Sequence, residues 1–191
     1  GDELVNAMLV SEENDVLLVS RKGMSIRFSA ANDSMRPMGR DTSGVIGMAF
    51  RKQDELLSAS VIGESGFVFV VTEGGYAKRT AADQYRVQKR GGIGIKVAKL
   101  DEKRGDLVGA LMVDESDEVL AVLSSGKVIR SSATEVPAKG RDTMGVVFAR
   151  FDQSDSVLSI ARNSERNLET NEDLIEETET EGAADGAVQA E

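Results

Sequence analysis

VLLVSRKGMSIRF (residues 16–28), VFVVTEGGYAKRT (68–80) and VLAVLSSGKVIRS (119–131) are three copies of one pattern. Each is a short apolar run, a turn containing glycine, and a second run that brings in an arginine. Gly23, Gly75 and Gly126 fall in register, as do Arg27, Arg79 and Arg130, which sets a period of about 51 residues. Runs rich in β-branched residues and bounded by turn residues predict strands. The pairs Lys22-Gly23, Gly74-Gly75 and Ser125-Gly126 predict two-residue hairpin turns, where a glycine adopts positive φ at little cost.

Working outward, DELVNAMLV from Asp2 returns as DELLSASVI from Asp54, GDLVGALMV from Gly105 and SDSVLSIAR from Ser154. A connector closes each unit: GRDTSGV from Gly39, KRGGIGI from Lys89, GRDTMGV from Gly140. With the Val45–Phe50 stretch, each unit counts about four strands, and no long window of the body keeps a 3.6-residue apolar period. Four short antiparallel strands per repeat predict blades, and hence an all-β, propeller-like ring. The repeats span about 1–52, 53–103 and 104–152, and 153–162 supplies a closing strand that can complete a blade elsewhere in the ring. Three blades do not close a ring. Together with a first residue that is Gly1, this predicts a piece of a longer chain.

Composition narrows the function classes. The chain has no His, Cys or Trp and is 4% aromatic, so its core rests on aliphatic residues. Ser–His and Cys–His catalysis and thiolate metal sites are excluded within it. GxxxxGK[ST] is absent, and GGIGIK lacks the later glycine and helical pattern of a dinucleotide loop. No catalytic residues, metal or cofactor are expected. No apolar run approaches the ~20 residues of a membrane span, so no membrane partner is expected.

The net charge of −10 is unevenly spread. Residues 164–191 hold ten acids and one Arg, leaving only −1 for residues 1–163. The tail is expected to be disordered, because so few apolar residues cannot offset its ordering entropy. Residues 76–104 hold nine bases and three acids, a local +6 that points to an anionic partner. Arg27, Lys78, Arg79 and Arg130 recur at the third strand of each unit. Arg40, Lys89, Arg90, Lys139 and Arg141 recur in the connectors, and Lys96 follows the middle one. A rim that follows duplex DNA needs bases at one recurrent place per blade, so these ten are the candidate DNA-binding residues. Tyr76 and Tyr85 stand apart from any acid pair or metal cluster and are expected to pack.

The segment QKRGGIG, residues 88–94, resembles the Q-R-R-G-G-K-G box of the DNA gyrase A C-terminal domain. RPMGRDTSGVIGM and VVTEGGYAKRT resemble blade sequences of the same family, and the likeness runs through residues 1–163. Gln88, Arg90, Gly91, Gly92 and Gly94 match the box and Lys89 keeps its charge, whereas Ile93 stands where the family has Lys. The resemblance implies the distal half of a six-bladed β-pinwheel, in which neighbouring blades exchange strands. It implies a module that wraps duplex DNA and so supports ATP-dependent negative supercoiling. The partners implied are the rest of gyrase A and the gyrase B protein, in the bacterial cytoplasm on the nucleoid. ATP and Mg would be bound elsewhere in that enzyme, and the cleavage tyrosine would lie upstream. The equivalent domain of topoisomerase IV and a protein-interaction propeller are the alternatives. The box favours the first reading over topoisomerase IV, and scarce exposed aromatics disfavour the second.

Overall fold

The computed structural model describes residues 3–31, 33–51, 53–152 and 154–163. The expected acidic tail, 164–191, lies outside them. Eleven strands follow in order: β1 Asp15–Ser20, β2 Met24–Ser29, β3 Leu56–Ile62, β4 Phe67–Thr72, β5 Tyr76–Ala81, β6 Ile95–Lys96, β7 Leu107–Val113, β8 Glu118–Leu123, β9 Val128–Ser132, β10 Val146–Val147 and β11 Val157–Asn163. Among the described residues the only helical turns are the 3-10 segments Ala82–Gln84 and Ala133–Glu135.

The strands form three antiparallel sheets, ordered β3-β1-β2-β6, β10-β5-β4-β7 and β11-β8-β9. Each blade is a hairpin of one unit flanked by strands of the next. β3 and β6 of the second unit complete the first blade, and β7 and β10 of the third unit complete the second. Two expectations change accordingly. β11 does not reach across a ring; it pairs with β8 as the third strand of the third blade, as every opening strand goes back one blade. The first unit's opening segment (residues 3–10) and its connector stretch (residues 45–50) form no strands, because no earlier blade is present among the described residues to receive them.

The hairpin turns fall where expected but are one residue longer. Gly23, Gly75 and Gly126 each donate N–H to the carbonyl three residues back, at 2.9–3.1 Å, and each has φ between 76° and 83°. A turn followed by one left-handed glycine is the three-residue, bulged form of hairpin loop.

Burial follows from stacking the blades face to face. In β1, Leu17 and Val19 face the second blade, whereas Val16 and Leu18 join Ile26, Phe28 and Met48 on the opposite face. In β4, Val68 and Val70 face the first blade, and Phe69 and Val71 face the third. A strand covered on both sides is apolar at consecutive positions, while its side chains still alternate in direction. In β8 only Val119, Ala121 and Leu123 are buried; Leu120 and Val122, on its other face, are half-buried.

Candidate nucleic-acid interface

The repeated glycine of the connector has a structural cause. Gly44, Gly94 and Gly145 all have positive φ, between 70° and 78°. A Cβ on Gly145 would stand 2.5 Å from the Ala77 carbonyl oxygen, and one on Gly94 would meet the Ser25 carbonyl closer still. Only glycine lets the connector turn in beside β2 or β5 and add its short strand there.

The arginines are structural in a way that periodicity alone did not reveal. Arg27 donates Nε–H to Asp15 at 2.7 Å and Nη1–H to the Ala82 and Tyr85 carbonyls of the next unit at 3.4 and 3.3 Å. Arg79, 8% exposed, repeats the clasp: Nε donates to the Val136 carbonyl at 2.7 Å and Nη1 pairs with Glu115 at 3.2 Å. Diagonally across from these arginines, two residues along from their direct partners Leu17 and Phe69, β1 carries Asp15 and β4 carries Phe67, and the Arg79 guanidinium stacks 4.4 Å over the Phe67 ring. Arg130 pairs with Glu118 in the equivalent place and remains well exposed. Arg27 and Arg79 thus hold the following unit's 3-10 turn and do not point outward to meet phosphate.

Lys78 is the second correction. It is 2% exposed, and its ammonium donates to the Gly140 carbonyl at 2.8 Å and to the Arg141 carbonyl. Burial, with the Arg141 guanidinium nearby, lowers it to about 8, against an opposing pull from Asp142.

The connector residues divide. Arg90 donates Nε–H to the Ser34 carbonyl at 2.7 Å and Nη1–H to the Ile46 carbonyl at 3.1 Å. Arg141 makes the same grip one unit on, with Nη1 donating to the Lys96 carbonyl at 3.0 Å. Both are half-buried clasps between successive connectors. Arg40, Lys89 and Lys139 are exposed, and Lys96 is exposed while shared with Asp142 at 3.3 Å. Arg86, Lys99 and Lys103 are also exposed beside these connectors; Arg36 stands in the place of Arg86 one unit earlier and Arg150 in the place of Lys99 one unit later, a recurrence outside the candidate set.

Around the box, Gln88, Lys89, Arg90 and Val87 line an open cleft of about 540 Å³ with Ser29, Asp33 and Ser34. Ile93 is exposed, and the buried Gln88 Nε2 has no hydrogen-bond partner among the described residues. Tyr85 is a core side chain whose hydroxyl is pushed up by burial. The Arg104 guanidinium covers the ring of Tyr76 at 4.6 Å. Neither tyrosine is placed for chemistry on DNA.

Comparison with known proteins agrees with the architecture. The family described as DNA gyrase C-terminal domain, beta-propeller, matches residues 14–62, 66–114 and 117–164. Each match holds one hairpin and runs on through the opening strand of the next unit. The chain is 55% identical over 186 residues to the DNA gyrase A protein of Streptomyces coelicolor, covering 96% of this chain and 22% of that protein. It is 50% identical over 187 residues to the DNA gyrase A protein of Mycolicibacterium smegmatis, covering 98% of this chain and again 22% of the relative. The chain therefore spans about a fifth of the length of these curated relatives. A solved structure of a DNA gyrase A C-terminal domain superimposes with a TM-score of 0.73 at 31% identity, over 80% of this chain and 52% of that one. The C-terminal domain of a DNA topoisomerase IV superimposes with a TM-score of 0.72 at 18% identity, over 79% of this chain and 47% of the other, a likeness of fold alone.

Proposed function

Because the chain belongs to the DNA gyrase C-terminal domain family, we propose that its connectors form a basic rim that binds duplex DNA and bends it, supporting negative supercoiling by a complete gyrase. The relatives are DNA gyrase A proteins, which are type II topoisomerases, and the matched region is the C-terminal domain rather than the catalytic one. In this reading, cleavage, ATP and magnesium act elsewhere in an assembly of gyrase A with gyrase B. Among the described residues, no helix is long and apolar enough to cross a membrane.

The observation that carries the reading is the placement of Arg40, Lys89 and Lys139. All three are exposed, in consecutive connectors, on segments clamped by Arg90 and Arg141. Cations held at intervals on a rigid curved support meet phosphates along a bent path without reading bases. Those three with Lys96 release about four counterions, so affinity falls on the order of a hundredfold between roughly 50 and 200 mM salt. Titration of a labelled duplex across that range tests this. A flat salt dependence, or equal binding by a chain carrying Arg40→Ala, Lys89→Ala and Lys139→Ala, refutes it.

A further inference from the structure

Resting on the reading of the connector cations as DNA-binding groups, we infer that Lys78 is a positioning residue: its ammonium, buried beneath the third unit's connector, holds the Gly140 and Arg141 carbonyls and so sets where Lys139 presents itself. The repeat makes the position unusual. The residues equivalent to Lys78 are Ile26 and Ile129, so a lysine stands at an apolar site of an otherwise regular pattern.

The connectors explain the difference. In the second unit's connector, Gly92 and Gly94 close over Ile26: a Cβ on Gly92 would lie 3.7 Å from Ile26 Cδ1, and one on Gly94 3.2 Å from Ile26 Cβ. The third unit has Asp142 and Thr143 where the box has Gly91 and Gly92. Its connector presents two carbonyls to Lys78, and the Thr143 hydroxyl also donates to Gly140 O at 2.7 Å. A buried ammonium is tolerated only where its protons are taken up by acceptors.

Around Lys78, β4 and β5 contribute Thr72 and Tyr76, and the 97–100 segment contributes Lys99. Arg141 and Asp142 face it from the connector. Asp142, the carboxylate of that set, is shared with Lys96 at 3.3 Å, so Lys78 depends on the carbonyls rather than on an ion pair of its own. Just before this anchor, the Lys139 amide donates to the Arg79 carbonyl at 2.9 Å; just after it, β10 pairs with β5. Lys78 fixes the stretch between these two attachments, and Lys139 and Arg141 sit on it.

The test uses the whole chain and Lys78→Met, each with and without Lys139→Ala. Duplex affinity is read by titration, and backbone order by hydrogen exchange at residues 140–145. Residues 89–95, anchored on Ile26, are the internal control. Lys78→Met is expected to weaken binding several-fold and to speed exchange at 140–145, with exchange at 89–95 unchanged. It should add no further loss once Lys139 is alanine. Unchanged exchange at 140–145 overturns the anchor. An equal loss of affinity in both backgrounds overturns positioning, since Lys78 would then act directly or through general stability. If the parent chain shows no salt-sensitive binding, the DNA reading fails and takes the positioning claim with it, while exchange still decides the anchor.

Discussion

Replacing Arg79 with alanine separates a clasp from a phosphate contact. The change removes the Nε–H donated to the Val136 carbonyl at 2.7 Å, the pair with Glu115 at 3.2 Å and the guanidinium 4.4 Å above Phe67. The buried carbonyl left without this donor costs about 1–3 kcal/mol. Lost stacking costs ~0.5–2 kcal/mol, and the pair with the exposed Glu115 contributes under ~1 kcal/mol. A loss of about 3 kcal/mol is expected, which for a domain of this size lowers Tm by roughly 6–12 °C. Arg130→Ala, at an exposed site paired with Glu118, should cost under ~1 kcal/mol. Arg79→Lys keeps the charge but not the planar fork, and should resemble the alanine variant more than the parent. Urea and thermal unfolding followed by circular dichroism measure all three. If Arg79→Ala unfolds within ~0.5 kcal/mol of the parent, the typical range of surface substitutions, the inter-blade clasp is refuted.

Three further outcomes are expected. Gly145→Ala forces a side chain to φ +70° and 2.5 Å from the Ala77 carbonyl, so it should cost at least about 1–3 kcal/mol and release β10; Gly63→Ala, with nothing within 4 Å, should be near neutral by the same unfolding assay. Lys78 is lowered in the folded chain to about 8 from 10.5, so between those values the unfolded chain binds more protons. Stability should therefore rise with pH across that window, and Lys78→Met should remove its contribution to the rise. Cutting after Asn163 removes a net charge of −9 and should tighten duplex binding, most at low ionic strength, where a tethered polyanion competes best. Equal affinities for the cut and uncut chains would leave the tail without this role.

The repeat and its turns were legible because their causes are local. Gly23, Gly75 and Gly126 mark hairpins by backbone preference alone, and β1, β4 and β8 announce themselves by composition. Strand exchange was not legible from spacing. Nothing within DELLSASVI says that it serves the blade before its own, since that choice depends on an edge some forty residues away in the chain. The site was half legible for a related reason. Recurrence selected Arg27 and Arg79, but a cation repeated every blade can meet a repeated carbonyl as readily as a repeated phosphate. Two signals in the sequence separate these uses. Asp15 and Glu118 recur at the start of the partner strand, twelve residues before Arg27 and Arg130. Lys78 interrupts an otherwise apolar set with Ile26 and Ile129, which argues for burial rather than exposure.

The exchange of strands also imposes an order of events during synthesis. The first blade has its hairpin by residue 29, gains β3 at Leu56–Ile62 and receives its last strand only at Ile95–Lys96. At about 5–20 residues per second, several seconds separate the hairpin from its completion. Throughout that interval the outer edge of β2 is an unpaired template near every other nascent chain on the same message. The two-residue β6 then pairs with Met24 and Ser25 alone, and among the described residues a single bridge from Val87 to Arg27 is what covers the rest of that edge.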